Sequence, residues 1–353
     1  MKYRGLPGLI DLQLLIPVFI LLFFSLVTLF SIDITFFKEQ LIFSFFAIII
    51  YFVCSQIDFK TWEHFSVPMY IMSLILFIVV LFLGFESKGA VRWISVFGFS
   101  IQFSEILKPV LALSLASFLA RKQSTSKKTF FTIIAFLLPV IFFIYKQPDL
   151  GNALIYTGVV MITLLVYGFP WQWFVPGGIL LGIIIPLIFP FLHHYQKERI
   201  LTFGTSYNAI QSVIAVGSGA FPGKGLGQGT QSGLRFLPER HTDFIFASLS
   251  EELGFIGGFI VIITYAFLFY RLYVLMKDND DIFAKMFITL TFVLLLIQCF
   301  INIGMNIGIV PIVGVTLPFV SSGGSSLLSN AIFLGIVSSL SRYGQRKHVL
   351  EIT

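Results

Sequence analysis

The chain contains, at residues 150–192, the stretch LGNALIYTGVVMITLLVYGFPWQWFVPGGILLGIIIPLIFPFL, in which none of the 43 residues is Asp, Glu, Lys or Arg. An α-helix needs about 20 apolar residues to cross a hydrocarbon layer about 30 Å thick. This stretch is therefore long enough for two membrane-spanning helices. Gly168, Pro170 and Trp171 near its middle are typical of a turn at the membrane interface. The sequence predicts one span before that turn and another after it.

The composition of the whole chain agrees with that stretch. Of its 353 residues, 57% are hydrophobic and 11% are charged, and the formal net charge is +6. A soluble globular domain carries about 25% charged residues, because its surface faces water. A soluble enzyme is therefore excluded. We expect an all-α integral membrane protein in which residues 1–353 form a single polytopic domain.

Apolar runs bounded by charged residues predict about ten transmembrane helices. The first run follows Lys2 and Arg4 and is too long for the apolar segment of a signal peptide, so we interpret it as a retained helix. The predicted spans are 12–32, 40–57, 65–85, 106–120, 129–145, two within 150–192, 247–270 and two within 286–341.

The distribution of Lys and Arg indicates the orientation of these spans, because both residues are enriched in cytoplasmic loops. With both termini in the cytoplasm, the inner segments hold 13 of the 23 Lys and Arg residues. We therefore expect a multi-pass protein of the cytoplasmic membrane with both termini inside. A large outer loop, residues 193–246, joins helices 7 and 8. Its basic residues oppose this topology signal, so another requirement must keep them there: Lys197, Arg199, Lys224, Arg235 and Arg240.

Part of that outer loop, residues 217–233, is rich in glycine and is called the glycine-rich loop below. Glycine lets the backbone approach a ligand closely and direct N–H groups at an anion. With Arg199 and Lys224 nearby, the loop fits a phosphate site. A mobile extracellular loop without a ligand fits the composition equally well.

Nucleotide binding by this loop is excluded. Gly223, Lys224 and Gly225 resemble part of a P-loop, but Ser218 stands where that pattern needs glycine. Gly225 stands where the pattern needs Ser or Thr. No nucleotide cofactor is therefore expected.

Polar residues also occur at membrane level, where ionisable groups are costly and commonly functional. They form four groups, namely Arg92 with Trp93, Glu105 with Lys108, Gln147 with Asp149, and Glu239 to Asp243 with Glu251 and Glu252.

The spacing within these groups leaves several interpretations open. Glu105 and Lys108 share a helix face, so both a structural ion pair and a ligand contact fit them. Asp149 precedes a span, and a helix cap is the favoured interpretation. Asp243 also precedes a span, but the polar residues 239–242 beside it favour a role beyond capping.

Motifs along nearly the whole chain resemble the SEDS family (shape, elongation, division and sporulation). The segment PIVGV (311–315) and residues 235–240 resemble its elongation branch more than its division branch. Phe103 and Ser322 depart from the Pro and Tyr usual in the family, and the segment 199–207 is shorter. The matching segments are AVRWI (90–94), FSEILK (103–108), QPDLG (147–151), GKGLGQGTQ (223–231), FLPERHTDFIFA (236–247), EELG (251–254), LPF (317–319) and GGSS (323–326).

The resemblance implies an inverting peptidoglycan glycosyltransferase. It would polymerise lipid II into glycan strands at the outer face of the bacterial cytoplasmic (inner) membrane during cell elongation. The implied partners are a class B penicillin-binding protein, which is a transpeptidase, MreC- and MreD-type elongation proteins and membrane lipid, but no nucleic acid. A divalent cation, Mg²⁺ or Mn²⁺, is the expected cofactor.

The same resemblance implies a set of site residues. Asp243 is the candidate catalytic residue, either as the base for the acceptor hydroxyl or as a ligand of the divalent cation. Basic residues would stabilise the departing pyrophosphate. The candidate substrate-binding residues are Arg92, Trp93, Glu105, Lys108, Arg199, Gln211, Lys224, Gln231, Glu239 and His241.

Three alternatives remain open at this stage, which are a lipid II flippase, the FtsW-type division paralogue and a non-enzymatic scaffold. A transporter presents its site alternately to both membrane faces. The polar motifs are instead expected on the outer side, which favours the enzyme.

Overall fold

A computed structural model describes residues 11–87, 90–96, 99–122, 124–188, 190, 197 and 204–350, with side chains undescribed at 86–87, 90–91, 96, 181, 183–186, 188 and 343–350. Within these ranges, nine helices are long and apolar enough to cross a membrane. The predicted all-α membrane architecture is confirmed. The helices are α1 (Leu12–Ile32), α2 (Ile34–Gln56), α3 (Phe59–Leu83), α4 (Phe103–Ile106), α5 (Lys108–Lys122), α6 (Lys127–Lys146), α7 (Leu150–Tyr167), α8 (Phe174–Ile188), α9 (Tyr207–Ser218), α10 (Thr230–Gly233), α11 (Ile245–Lys277), α12 (Ile282–Asn306) and α13 (Gly324–Leu350).

Several predicted helix ends were wrong, and the largest errors came from helices that continue past charged residues. α2 begins at Ile34 and so includes Lys38 and Glu39, while α11 continues to Lys277. Charged residues mark where lipid contact ends, but a helix continues for as long as its backbone hydrogen bonds do. The short helices α9 and α10 also lie within the segment predicted as an outer loop.

The turn expected in the uncharged stretch is confirmed. α7 ends at Gly168, whose φ of 100° is left-handed, and a short 3₁₀ turn follows at Trp171–Trp173. Glycine adopts this conformation without a steric penalty. α8 then begins at Phe174 and is described over 15 residues.

A small antiparallel sheet between α3 and α4 was not predicted. Its strands are β1 (Phe85–Ser87), β2 (Ala90–Val96) and β3 (Phe99–Gln102), with β2 in the centre. β2 pairs Trp93 with Gln102 across the sheet. The sheet therefore fixes the segment that carries Arg92 at one end of the bundle.

α5, α12 and α13 form the centre of the bundle. The spanning windows of 103–122, α12 and α13 are 72%, 67% and 83% buried, against 22% for α2 and α3. Close packing replaces the hydrophobic effect between helices in lipid, and small residues allow it. A Cβ on Gly335 of α13 would lie 2.7 Å from the carbonyl oxygen of Tyr51 in α2, so only glycine fits this contact without a shift.

Polar contacts tie the outer helices to this centre. In α1, Ser25 donates a hydrogen bond of 2.6 Å to the carbonyl of Val320, in the connection between α12 and α13. Arg271 near the end of α11 lies 2.6 Å from Asp11, which caps the start of α1. Such contacts are favoured in lipid, where unsatisfied polar groups have no water to bind.

α11 is broken at Gly254, where φ is 66° and ψ is −165°. The break frees the carbonyls of Glu251 and Glu252 from helical hydrogen bonding. They accept hydrogen bonds of 3.0 and 2.9 Å from the backbone N–H groups of Lys224 and Gly225 in the glycine-rich loop. The loop is thus inserted into the break, and it holds the first part of α11 in place.

Candidate active site

Polar groups from distant parts of the chain meet at one end of the bundle. Ser31 at the end of α1 donates a hydrogen bond to the carboxylate of Glu252 in the first part of α11. The backbone N–H of Gln102 donates to Oγ of Ser325 at the start of α13 over 2.9 Å. Ser321 and Ser322, close to Ser325 in sequence, donate to the carbonyls of Thr242 and His241, so the polar groups form one region opposite the end that holds Asp11 and Arg271. We call it the polar end; its polar segments are 31–36, 92–96, 99–108, 149–152, 220–252 and 317–326.

The first cluster surrounds the carboxylate of Asp149, which is buried. Its Oδ2 accepts hydrogen bonds from Gln102 Nε2 at 2.7 Å and Asn152 Nδ2 at 2.9 Å. Its Oδ1 lies 3.5 Å from a guanidinium nitrogen of Arg92. A carboxylate held on several sides fixes the position of the guanidinium paired with it.

Arg92 keeps part of its binding capacity. Its side chain is 24% exposed, and its Nε has no hydrogen-bond partner among the described residues. A guanidinium offers five N–H donors in a fixed plane. Arg92 can therefore bind an anion while Asp149 orients it. The capping role favoured for Asp149 is also confirmed, since its Oδ1 accepts a 3.2 Å bond from the Asn152 N–H.

Glu105 and Lys108 form the ion pair that their spacing predicts. Lys108 Nζ lies 2.7 Å from Glu105 Oε1, and the lysine side chain is only 2% exposed. Lys108 also lines a cavity of about 40 Å³ between α5, α6, α7, α12 and α13, whose other lining residues are almost all apolar. Its charge is thus compensated within the protein, and Glu105 Oε2 has no hydrogen-bond partner in the described part of the chain.

The second cluster surrounds Glu251, whose side chain is fully buried. Its Oε1 accepts the backbone N–H groups of Thr230 at 2.8 Å and Gln231 at 2.9 Å. Its Oε2 accepts the N–H and the hydroxyl of Ser232, both at 2.9 Å. These N–H groups of the glycine-rich loop do bind an anion, as their composition suggests, but the anion is a carboxylate of the protein itself.

Lys224 belongs to the same cluster. Its Nζ lies 2.9 Å from Glu251 Oε1 and 2.7 Å from the hydroxyl of Thr230. An ammonium has three N–H donors, so two are used within the protein and one is left for a ligand.

One aromatic stacking contact and one hydrogen bond involve the segment 239–242. The ring of His241 stacks on Phe36 with centroids 3.8 Å apart and planes at 6°. The hydroxyl of Thr242 donates to Glu239 Oε2 over 3.1 Å. The start of α2 thus contributes a wall to the site that the sequence analysis did not include.

This segment also contains the charged residue Arg240, and Asp33 lies near it. Arg240 is buried and donates a hydrogen bond to the carbonyl of Ser232. Burial lowers the pKa of Arg240, while Asp33 and Glu252 act in the opposite direction. The Thr35 N–H, which donates to Asp33, lowers the pKa of that carboxyl. Asp33 is therefore ionised at neutral pH, and an arginine keeps its proton there as well.

Asp243 lies directly before α11 and is partly buried. Its backbone carbonyl accepts hydrogen bonds from the side-chain amides of Asn302 at 3.0 Å and Asn306 at 2.9 Å. α11 has Phe244 at its N-cap position, and Asn306 Oδ1 accepts the Ala247 N–H at 2.9 Å. The helix start is thus satisfied by another residue, which agrees with a role for Asp243 beyond capping.

The other predicted site residues are less informative. Trp93 follows Arg92 on β2, Gln211 lies partly buried on α9, and the Oε1 of Gln231 has no hydrogen-bond partner among the described residues. Arg199 lies outside the described residues.

Sequence reasoning missed the buried amides and hydroxyls that support the site. Asn302 and Asn306 are the main examples, and both are fully buried in α12, which is mostly apolar. Their spacing of i and i+4 places both amides on one helix face. That pattern in an apolar span was the signal that could have identified them.

The residues that the structure describes do not include a preformed metal centre. Over the described ranges, no group of three or more His, Cys, Asp or Glu side chains is placed to hold a metal ion. Mg²⁺ commonly binds one or two carboxylates together with substrate phosphates. Asp243 fits a cation of that kind, which the substrate would help to hold.

The chain matches known proteins over nearly its whole length. Residues 6–346 match the family model FTSW_RODA_SPOVE, described as cell cycle protein. The peptidoglycan glycosyltransferase MrdB of Escherichia coli (strain K12) is 36% identical over 83% of this chain and 82% of the relative. Stage V sporulation protein E of Bacillus subtilis (strain 168) is 33% identical over 95% of this chain and 98% of the relative.

Solved structures show the same fold. A chain from a structure described as structural coordination of polymerization and crosslinking by a peptidoglycan synthase complex has a TM-score of 0.83. It is 28% identical and covers 95% of this chain and 98% of that chain. The Thermus thermophilus rod shape determining protein RodA has a TM-score of 0.74 at 25% identity, covering 97% of this chain and 98% of that chain.

Proposed function

Because the chain belongs to the FtsW/RodA/SpoVE family of cell cycle proteins, we propose that it is a peptidoglycan glycosyltransferase that polymerises lipid II. The relatives include the glycosyltransferase MrdB, and the matching structures include RodA. The family resemblance noted from the motifs is thereby confirmed. Cell elongation is the favoured process, ahead of the division role of the FtsW relatives and ahead of a flippase.

One observation carries the proposed chemistry. Arg92, which is paired with Asp149, and Asp243 lie at the same polar end of the bundle. Glycosyl transfer from a lipid pyrophosphate needs positive charge for the departing pyrophosphate and a base for the attacking hydroxyl. It needs no ATP, because the donor already carries an activated bond.

In this mechanism Asp243 accepts the proton of the acceptor sugar hydroxyl as its oxygen attacks the anomeric carbon of the donor. The bond from that carbon to the lipid pyrophosphate breaks, and the pyrophosphate leaves with the electron pair. One displacement inverts the anomeric configuration. The free donors of Arg92, and the remaining N–H of Lys224, stabilise the negative charge that develops on the leaving group.

Other predicted residues take supporting roles. Lys108, neutralised by Glu105, stabilises the buried wall beneath the site rather than binding pyrophosphate in open solvent. Glu239 and His241 shape the acceptor side, with His241 held by its stacking on Phe36. The lipid tail would lie against the apolar helix faces that surround the polar end.

A divalent cation, Mg²⁺ or Mn²⁺, is part of this proposal. Asp243 would hold it together with oxygens of the substrate pyrophosphate. When bound, it would neutralise charge on the leaving group. A rate that depends on added cation would support this ligand role for Asp243.

We place the polar end at the outer face of the bacterial cytoplasmic membrane, with both termini in the cytoplasm. The contact between Asp11 and Arg271 then lies on the inner side, together with the basic segments 121–128 and 342–347. A class B penicillin-binding protein is the proposed partner, supported by the likeness to a chain of a peptidoglycan synthase complex. MreC- and MreD-type proteins are proposed as further members.

The test is polymerisation of fluorescent lipid II by the purified chain with its transpeptidase partner. Moenomycin is added to suppress contaminating transglycosylases of the other type, and the assay is run with and without Mg²⁺ or Mn²⁺. Polymer is expected in the presence of cation. Translocation of lipid II in liposomes without any polymer would overturn the proposal in favour of a flippase.

A further inference from the structure

Three successive backbone carbonyls, those of His241, Thr242 and Asp243, are all held from outside their own segment. The N–H of Ser322 donates to His241 over 2.9 Å. The hydroxyl of Ser321 donates to Thr242 over 2.6 Å. The donors for Asp243 come from α12, so two separate elements hold one short turn.

The donors for Asp243 are themselves fixed. Asn302 Nδ2 also donates to the carbonyl of Val315 over 2.7 Å. Asn306 Nδ2 donates to the carbonyl of Asn302 over 2.8 Å, and its Oδ1 accepts the Ala247 N–H. Both asparagines have 0% exposure. Their amides therefore cannot be replaced by water without opening the bundle.

Catalysis requires that the backbone carrying a reacting group is held in one position, as these hydrogen bonds hold residues 241–243. A buried amide in an apolar helix is costly unless it is hydrogen-bonded, so its use here needs a reason. Reacting groups must be held to within a fraction of an ångström, and an error of about 1 Å costs about 100-fold in rate. A loop residue reaches such precision only when the backbone that carries it is fixed.

We propose that Asn302 and Asn306 are positioning residues for Asp243, because their side-chain amides fix the backbone that carries the Asp243 carboxylate. Both amides are fully buried and bound to backbone groups of the protein, so their proposed action on the substrate is through Asp243. The inference rests on the proposed glycosyltransferase function and adds to it the residues that make Asp243 effective.

The test compares Asn306→Leu, Asn302→Leu and the matched control Gln298→Leu in lipid II polymerisation. Gln298 lies one turn before Asn302 on the same face of α12, is equally buried, and its Oε1 has no hydrogen-bond partner among the described residues. We expect kcat to fall about 10- to 100-fold in each asparagine variant, with KM for lipid II changed less than about threefold. Gln298→Leu should keep the wild-type rate.

A double variant separates positioning from loss of folding. If Asn306 acts through Asp243, Asn306→Leu will not lower further the residual rate of Asp243→Asn. If it only destabilises the fold, it will lower that residual rate by the same factor as it lowers the wild-type rate. Ser321→Ala is a milder change, which removes the hydroxyl that donates to the Thr242 carbonyl. It should give a smaller fall in kcat, and it replaces an asparagine variant that fails to fold.

The outcomes distinguish the inference from the proposed function. No polymer from the wild-type complex would overturn the proposed function. A wild-type complex that makes polymer, with unchanged kcat in both asparagine variants and in Ser321→Ala, would overturn the positioning role alone. Equal losses in Asn306→Leu and Gln298→Leu would overturn it as well.

Discussion

The ammonium of Lys224 lies 2.9 Å from Oε1 of Glu251, which joins the glycine-rich loop to the first part of α11. The two partners are not equivalent. The side chain of Glu251 has 0% exposure, whereas that of Lys224 has 26%. The carboxylate also binds three backbone N–H groups of the loop, so it is the centre of the contact and the lysine is one of several donors.

Glu251→Gln is therefore expected to destabilise the protein more than Lys224→Ala does. The glutamine loses charge-assisted bonds and presents an NH₂ group to N–H donors, at a cost of about 3 kcal/mol. Lys224→Ala removes one donor and should cost about 1 kcal/mol. Thermal unfolding of the purified variants measures both, with the exposed Lys60→Ala as control. A larger shift for Lys224→Ala would show that the lysine is the central partner.

The break in α11 predicts a strong effect of Gly254→Ala. Its φ of 66° and ψ of −165° belong to a region that other residues rarely enter, and an added Cβ would lie 2.2 Å from the backbone nitrogen of Gly223. We expect a loss of at least about 3 kcal/mol in stability. The control is Gly217→Ala, where a Cβ meets nothing within 4 Å. Equal melting temperatures for the two variants would rule out the inserted-loop contact.

The spans could be predicted from the sequence because charge is scarce in lipid. Residues 150–192 show this most clearly, since their turn at Gly168 and the two helices around it were found where expected. The ends of α2 and α11 could not be predicted in this way, because hydrogen bonds rather than charges set them. The sheet formed by β1, β2 and β3 was missed because its strands are short and depend on contacts with each other.

In the site as well, contacts between residues close in sequence could be predicted, whereas contacts between distant residues could not. The pair formed by Glu105 and Lys108 follows from a spacing of three residues, which a helix turns into a contact. Asn302 and Asn306 lie 59 and 63 residues from Asp243 along the chain. No spacing rule joins residues so far apart, so the support of Asp243 became visible only in the fold.

Asp243→Asn should abolish most activity and leave stability nearly intact. The bonds from Asn302 and Asn306 go to the backbone carbonyl of Asp243, which the substitution preserves. The lost carboxylate should lower kcat by about 10²- to 10⁴-fold. The measurement is lipid II polymerisation beside thermal unfolding, with the exposed Asp278→Asn at the opposite end as control. Normal polymer formation by Asp243→Asn would exclude this residue as base and as cation ligand.

Arg92 and Asp149 should act as one unit in catalysis. Arg92→Ala removes the guanidinium that stabilises the leaving pyrophosphate, and a loss of about 10²- to 10³-fold in kcat is expected. Asp149→Asn leaves Arg92 in place but weakens its orientation, so about a tenfold loss is expected. Because Asp149 acts through Arg92, the double variant should be no slower than Arg92→Ala alone. Polymerisation by the three variants measures this, with the exposed Arg121→Ala as control. Losses that multiply in the double variant would instead mean that Asp149 contacts the substrate independently of Arg92.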